Sequence, residues 1–105
     1  MKKITIITPT YNRAKTLPKV FESLLKQSFK DFIWIILDDG STDNTTEVVE
    51  NFQLFNPFFE IIYKKDKNRH KFLTVLEGVK MVKTPYFMVV DSDDIYPEDA
   101  LETLI

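Results

Sequence analysis

Three carboxylates fall within four residues at Asp91, Asp93 and Asp94, directly after the apolar run Tyr86–Val90. Carboxylates this close repel one another unless a cation or a polar ligand lies between them. In an extended segment, Asp91 and Asp93 project to one side and Asp94 projects to the other. Two hard oxygen ligands on one side suit Mg²⁺ or Mn²⁺, which takes one or two protein carboxylates together with substrate phosphates. The stretch therefore predicts a divalent-metal site; the structural alternative is a solvated acidic cap before a helix at Pro97.

A second acidic turn begins with the adjacent carboxylates Asp38 and Asp39 and reads Asp-Asp-Gly-Ser-Thr-Asp-Asn-Thr over 38–45. Gly40 suits a turn, and the polar side chains after it suit the start of a helix. A pair of carboxylates that closes a buried strand needs a further explanation, because a buried charge must find a partner. Dinucleotide-binding folds hold a nucleoside with a carboxylate at this place. The first loop, Thr-Pro-Thr-Tyr-Asn-Arg over 8–13, lacks their glycine-rich phosphate motif, which disfavours an ordinary dehydrogenase.

Other chemistries that use acidic motifs fit the sequence less well. A calcium loop counted from Asp91 reaches Glu102 at its twelfth position, but Ile95 falls at a ligand position and Tyr96 replaces the required glycine. Aspartyl-phosphate phosphatases use a strand-end Asp-x-Asp that opens the fold, whereas here the motif follows the fourth apolar run. A Mg²⁺-dependent phosphoryl- or nucleotidyltransferase stays open, although no P-loop lysine motif supports it.

Four apolar runs, separated by segments of helical period, must position these residues. The runs suit strands of a parallel sheet and cover Ile4–Thr8, Ile33–Leu37, Phe58–Tyr63 and Tyr86–Val90. Helical spacing recurs over Leu17–Leu25 and Phe72–Val82, and more weakly over Thr42–Phe52. The order β-α-β-α-β-α-β predicts a Rossmann-like, three-layer α/β/α fold with a mainly parallel sheet and right-handed crossovers. The loop over 8–13 and both acidic turns then meet at the carboxyl edge of the sheet, where such folds bind ligands.

Composition narrows the function classes further. The chain has 105 residues, a net charge of −2 and no cysteine. Disulfides, thiolate metal sites and cysteine nucleophiles are therefore excluded, and bulk binding to nucleic acid or to anionic membranes is disfavoured. The apolar segment near the N-terminus is too short for a signal peptide or a membrane span. We expect a cytoplasmic location, at the inner face of the membrane if a longer protein has membrane segments.

The end of the chain predicts that more protein follows. Pro97 suits the first position of a helix, and Leu101, Leu104 and Ile105 begin an apolar face without a closing signal. A missing half would pack on that face and on the sheet edge beside Tyr86–Val90. Left open, these surfaces favour self-association.

The runs ITIITPTYNR, IWIILDDGSTDNT and PYFMVVDSDD together resemble the N-terminal half of family 2 glycosyltransferases with the GT-A fold, over essentially all 105 residues. The resemblance implies that 1–105 is the nucleotide-sugar-binding part of a truncated GT-A domain whose acceptor-binding half is absent. It also implies an inverting, metal-dependent enzyme of bacterial surface polysaccharide synthesis that transfers sugar from a UDP-sugar to a saccharide or glycoconjugate. The catalytic base would lie in the absent half, so we assign no catalytic residue and expect the fragment alone to be inactive. A non-catalytic nucleotide-binding module is the alternative.

The resemblance also implies roles for matching residues of the first two loops. Tyr11 would lie against the base, for which a flat aromatic ring is physically apt. The backbone around Thr8 and Pro9 would line the edge of the base. Asp39 would accept a hydrogen bond from the uracil ring N–H.

The remaining matching residues would contact the phosphates and the metal. Asp91 would face the ribose and the diphosphate, and Asp93 would hold the Mn²⁺ or Mg²⁺ that bridges both phosphates. Ser92 lies between them and belongs to the predicted substrate site. Arg13 and Lys71 are candidates for phosphate contact, with a solvated surface role as the alternative for each.

One stretch departs from the family pattern. Many relatives carry a basic residue and an asparagine within Ala-Arg-Asn-x-Gly on the third helix, where this chain reads Thr-Val-Leu-Glu-Gly over 74–78. The basic cluster over 64–71 could compensate through Arg69 or Lys71. The lone histidine, His70, is expected at the surface, and Trp34 is expected in the core.

Overall fold

The computed structural model describes residues 2–66 and 71–91, with side chains from 74 onward in the second range. Strands and helices alternate through these ranges, which confirms the predicted order. The elements are β1 (Ile4–Thr10), α1 (Leu17–Leu25), β2 (Phe32–Asp38), α2 (Thr45–Phe55), β3 (Glu60–Lys65), α3 (Lys71–Lys80) and β4 (Tyr86–Val89). No helix in the described ranges has the length and apolar character needed to cross a bilayer. The predicted helix at Pro97 lies outside them.

The four strands form one parallel sheet in the order β3-β2-β1-β4. The strand order reverses at the boundary between β1 and β4, and open α/β sheets bind ligands beside such a reversal. The register pairs Thr10 with Asp38, so the loops after β1 and β2 leave the sheet side by side. Glu60 is exposed at the start of β3, which is an edge strand of the sheet, and a charged side chain suits such an edge.

Helices cover both faces of the sheet and complete the three layers. On one face, α1 and α2 pack over a core that contains Trp34, Phe32 and Phe59. Phe21 of α1 stacks on Phe52 of α2 with ring centroids 4.2 Å apart, and such aromatic pairs stabilise a core beyond the area they bury. Trp34 is fully buried, as predicted. The three-layer α/β/α prediction is therefore confirmed.

On the other face, α3 lies close to the sheet because Gly78 has no side chain. A Cβ at this position would lie 2.8 Å from Ile7 Cγ2 and 2.8 Å from Leu37 Cδ1. Both neighbours belong to the smaller core cluster, with Ile35, on this side of the sheet. Glycine at 78 thus allows α3 to pack directly on β1 and β2.

Candidate functional site

Two loops meet at the carboxyl edge of the sheet: the β1 loop (residues 11–16) and the β2 loop (residues 39–44). The Asp39 N–H donates to the Thr10 carbonyl oxygen at 2.9 Å, which continues the β1–β2 pairing beyond the strands. Tyr11 directly follows Thr10, so the predicted base-contacting residues, Tyr11 and Asp39, both adjoin this hydrogen bond. Tyr11 is 42% exposed and Asp39 is half-buried.

Asn12 joins the two loops through both its backbone and its side chain. Its backbone N–H donates to Ser41 Oγ at 2.8 Å, and its Oδ1 accepts from the N–H groups of Thr42 at 2.7 Å and Asp43 at 3.2 Å. The Ala14 N–H adds a bond to Asp43 Oδ2 at 3.3 Å. Asn12 has φ 52°, a left-handed conformation that asparagine tolerates better than most residues. This role of Asn12 was not predicted from the sequence, although an asparagine in a loop is a recognised signal for such a conformation.

The two adjacent carboxylates have different environments. Asp38 is only 1% exposed, and it accepts from the Ser41 N–H at 2.7 Å and from the Tyr63 hydroxyl. The Tyr63 oxygen also lies 2.8 Å from Thr46 Oγ1. Burial, followed by the hydrogen bond to Asp38, raises the pKa of the Tyr63 hydroxyl, so the folded chain holds this proton more firmly than an ordinary tyrosine does. Asp38 thus supports the turn, and Asp39 is the carboxylate of the pair that a ligand could reach.

Asp43 supports the start of α2 from the β2 loop. Its carboxylate accepts from the Thr45 N–H at 3.1 Å and from the Thr45 hydroxyl. The hydroxyl bond is the largest influence on the pKa of Asp43 and lowers it, and the Ala14 N–H lowers it further. Asp43 is therefore an ionised acceptor that connects both loops to α2.

The remaining residues predicted for the substrate site on β1 and its loop differ in their environments. Thr8 and Pro9 are buried, and Thr8 Oγ1 accepts a hydrogen bond from Trp34 Nε1–H at 2.8 Å. The Thr8 side chain is thus committed to the core, and the contact of both residues with a base stays a prediction that concerns their backbone. Arg13 is exposed on the β1 loop, and its carbonyl oxygen accepts from the Leu17 N–H at 2.9 Å.

The predicted metal site lies only partly within the described residues. The Val90 N–H donates to the Ile7 carbonyl at 2.9 Å, so the half-buried Asp91 follows β4 beside β1, at the reversal of strand order. Ser92 and Asp93 lie outside the described ranges. Within those ranges, no three acidic or histidine side chains form a group that could hold a metal ion by itself. Asp91 keeps the hard oxygen chemistry that Mg²⁺ and Mn²⁺ prefer.

The departure from the family pattern lies on α3. Leu76 is 41% exposed, and Val75 is half-buried. Glu77 forms an ion pair with Lys64 of β3, so this lysine of the basic cluster has an acidic partner. The Lys71 backbone begins α3; its side chain, Arg69 and His70 lie outside the described part of the chain, and their roles stay predictions.

Comparison with solved structures shows the same architecture in known glycosyltransferases. Staphylococcus aureus TarS 1-349 in complex with UDP matches with a TM-score of 0.88 and 27% identity, over 97% of this chain and 30% of that chain. The mannosyltransferase PcManGT of Pyrobaculum calidifontis, in complex with GDP-Man and Mn²⁺, matches with a TM-score of 0.87 and 22% identity, over 97% of this chain and 30% of that chain. The second likeness concerns the fold alone.

Comparison with curated proteins gives the same result. Glycosyltransferase GlyG of Streptococcus pneumoniae is 34% identical over 101 residues, which are 96% of this chain and 33% of that protein. Poly(ribitol-phosphate) β-N-acetylglucosaminyltransferase TarP of S. aureus is 35% identical over 108 residues, 99% of this chain and 32% of that protein. The chain thus spans about a third of the length of these relatives. The family model "Glycosyl transferase family 2" matches residues 5–105, and the chain belongs to that family.

Proposed function

We propose that this domain binds the nucleoside diphosphate of a UDP-sugar at the carboxyl edge of its sheet. The observation that carries the proposal is the position of Tyr11 and Asp39 on two loops that hydrogen bonds join directly. A solved relative of 27% identity binds UDP, and the same protein has been solved with UDP-GlcNAc. These likenesses support a uridine nucleotide as the ligand class.

The chemistry of the two side chains suits uracil. The exposed Tyr11 ring offers a flat surface on which a base can stack. A carboxylate accepts hydrogen bonds, so Asp39 favours a base that presents a ring N–H at its Watson–Crick edge, as uracil does. Asp38 supports the turn through its bonds to Ser41 and Tyr63. Asp39 would therefore be able to bind the ligand without disrupting the turn.

A divalent cation is part of the proposal for the diphosphate. Asp91 and Asp93 would hold Mn²⁺ or Mg²⁺, which would neutralise the charge that develops on the leaving nucleoside diphosphate. Arg13 and Lys71 are the candidate phosphate contacts from the chain itself, together with Ser92 near the metal. The basic side chains of Arg13 and Lys71 would offset the carboxylate charge that a diphosphate meets at this edge.

For the whole protein we propose transfer of the sugar to a saccharide or glycoconjugate acceptor in bacterial surface glycan synthesis. Membership of glycosyl transferase family 2 favours this reaction over the phosphoryl- and nucleotidyltransferase alternatives. Inversion would require a carboxylate base beside the acceptor hydroxyl, and we assign none among residues 1–105.

Titration calorimetry with uridine tests the base site without the phosphates. Tyr11→Ala should weaken uridine binding about 5- to 150-fold, because stacking on an aromatic ring contributes roughly 1–3 kcal/mol. Asp39→Ala should also weaken it. Tyr86→Ala is the matched control, since Tyr86 is an exposed tyrosine at the opposite end of the sheet. Unchanged affinity in both loop variants, with the fold intact, would contradict the proposal.

A further inference from the structure

We infer that Asn12 is a positioning residue that makes the β1 and β2 loops a single base-binding unit; the inference rests on the proposed nucleotide function. Asn12 lies directly after Tyr11, and its bonds reach Ser41, Thr42 and Asp43 across the gap between the loops. Among the described residues, Asn12 is the only residue other than glycine with a positive φ. A conformation of this kind costs free energy, so it persists where the surrounding bonds hold it.

The side chain of Asn12 holds the turn that precedes α2, whereas Asp43 supports the helix start itself. Backbone N–H groups at the start of a helix need acceptors from outside the helix. Asn44, the N-cap residue of α2, makes no side-chain capping bond. In the turn just before it, the N–H groups of Thr42 and Asp43 donate to Asn12 Oδ1 from the other loop. The entry to α2 is therefore secured to the β1 loop.

These bonds bracket both base-contacting residues. On the strand side, the Asp39 N–H donates to the Thr10 carbonyl. On the helix side, Asn12 contacts Ser41. Tyr11 lies between Thr10 and Asn12, and Asp39 itself makes the first connection, two residues before Ser41. Tyr11 and Asp39 are thus held at a fixed separation before a base arrives, and such preorganisation lowers the cost of binding.

The conformation of Asn12 and its amide can be tested separately. Asn12→Gly accepts the positive φ and removes the amide, whereas Asn12→Asp keeps an oxygen acceptor of the same reach. Asn56→Gly is a matched control, because the Asn56 amide makes two similar backbone bonds, to Phe58 and Phe59, beyond the carboxyl end of α2. The control removes comparable bonds far from the proposed site.

Uridine affinity and unfolding midpoint are measured for each variant of the protein. Asn12→Gly should lower uridine affinity roughly fivefold, the factor that corresponds to one ordinary hydrogen bond. Asn12→Asp should recover most of the loss. Asn56→Gly should lower the unfolding midpoint and leave uridine affinity unchanged. If Asn12→Gly does not fold, Ser41→Ala removes the acceptor of the Asn12 N–H and should show a smaller loss of affinity.

A double-variant comparison separates positioning from general stability. In a protein that already carries Tyr11→Ala and Asp39→Ala, Asn12→Gly should change uridine affinity by less than about twofold, because the residues it positions are gone. Normal uridine affinity in folded Asn12→Gly, or an equal loss in the double-variant background, would overturn the inference while the base site stands. Absence of uridine binding by the wild-type protein would overturn both proposals.

Discussion

Replacing Tyr63 with phenylalanine tests how the second acidic turn is held. The change removes one oxygen and keeps the ring, which packs against the core beneath α2. The lost hydroxyl donates to the buried carboxylate of Asp38 and contacts Thr46. The Ser41 N–H bond to Asp38 remains.

The expected cost follows from the burial of Asp38. A buried acceptor that loses a partner costs about 1–3 kcal/mol, with values for charged groups in the upper part of that range. The unfolding temperature should fall by roughly 4–8 °C for each kcal/mol in a domain of about this size. Thermal and urea unfolding, followed by circular dichroism, measure both quantities. Tyr86→Phe is the control, because Tyr86 is exposed at the opposite end of the sheet.

The pH dependence of folding stability provides a second, independent test of the Tyr63 hydroxyl. The pKa of Tyr63 is raised in the folded state, first by burial and then by the Asp38 bond. The unfolded chain therefore releases this proton near pH 10, while the folded chain keeps it. The stabilising effect of the hydroxyl is fully present below about pH 10 and declines as the pH rises towards the folded-state pKa. The stability gap between wild type and Tyr63→Phe should accordingly be constant near neutrality and narrow above pH 10.

Two outcomes would contradict the proposed role of the Tyr63 hydroxyl. One is a Tyr63→Phe variant as stable as Tyr86→Phe at pH 7, which would mean that the hydroxyl bond contributes nothing. The other is a stability gap that stays constant well above pH 10, which would mean that the hydroxyl proton is not held by the fold.

Further predictions concern the packing of α3 and the metal. Gly78→Ala should lower the free energy of unfolding by about 1–2 kcal/mol, because the overpacking strain against Ile7 and Leu37 exceeds the helix-propensity gain of alanine. A variant as stable as wild type in urea unfolding, or more stable, would contradict this prediction. Mn²⁺ or Mg²⁺ should strengthen binding of UDP far more than binding of uridine, since the cation turns repulsion between carboxylates and diphosphate into attraction. Asp93→Ala should abolish that enhancement, and Asp94→Ala should change it little. Titrations of UDP with Mn²⁺ and with a chelator would measure both effects. Equal UDP affinity in chelator, or a larger effect of Asp94→Ala than of Asp93→Ala, would exclude the metal assignment.

The order of the elements was predictable because buried strands and amphipathic helices leave different periods in a sequence. Their boundaries were less predictable. The third strand was expected over Phe58–Tyr63 and is observed over Glu60–Lys65. Phe58 is exposed in the preceding loop, and Phe59 reaches the core from that loop, so their apolar character does not mark strand residues. The weaker helix begins at Thr45 instead of Thr42, and residues 42–43 lie in the preceding turn, where their N–H groups donate to Asn12.

The site was predictable as a set of loops and only partly as a set of contacts. Parallel strands bring their carboxyl ends together, so the meeting of the β1 and β2 loops follows from topology. The difference in environment between Asp38 and Asp39 depends on Tyr63, which lies 25 residues further along the chain and reaches Asp38 only in the folded sheet. The hydrogen bonds of Asn12 likewise join residues that are 29–31 positions apart in the chain. Pairings of this kind leave no periodic signal in one sequence.

We propose that Asp39 selects a uracil base, and a comparison of UDP with CDP tests this selection. Uracil presents a ring N–H where cytosine presents a bare nitrogen acceptor, so a carboxylate attracts the first base and repels the second. Wild type should prefer UDP by at least about tenfold, since a site built for one hydrogen bond strongly rejects a ligand that cannot make it. Asp39→Asn should reduce the preference mainly by weakening UDP, because an amide can both donate and accept. Asp31→Asn, at the opposite end of β2, should leave the preference unchanged. Equal affinity of wild type for UDP and CDP, or an unaltered preference in Asp39→Asn, would contradict the claim.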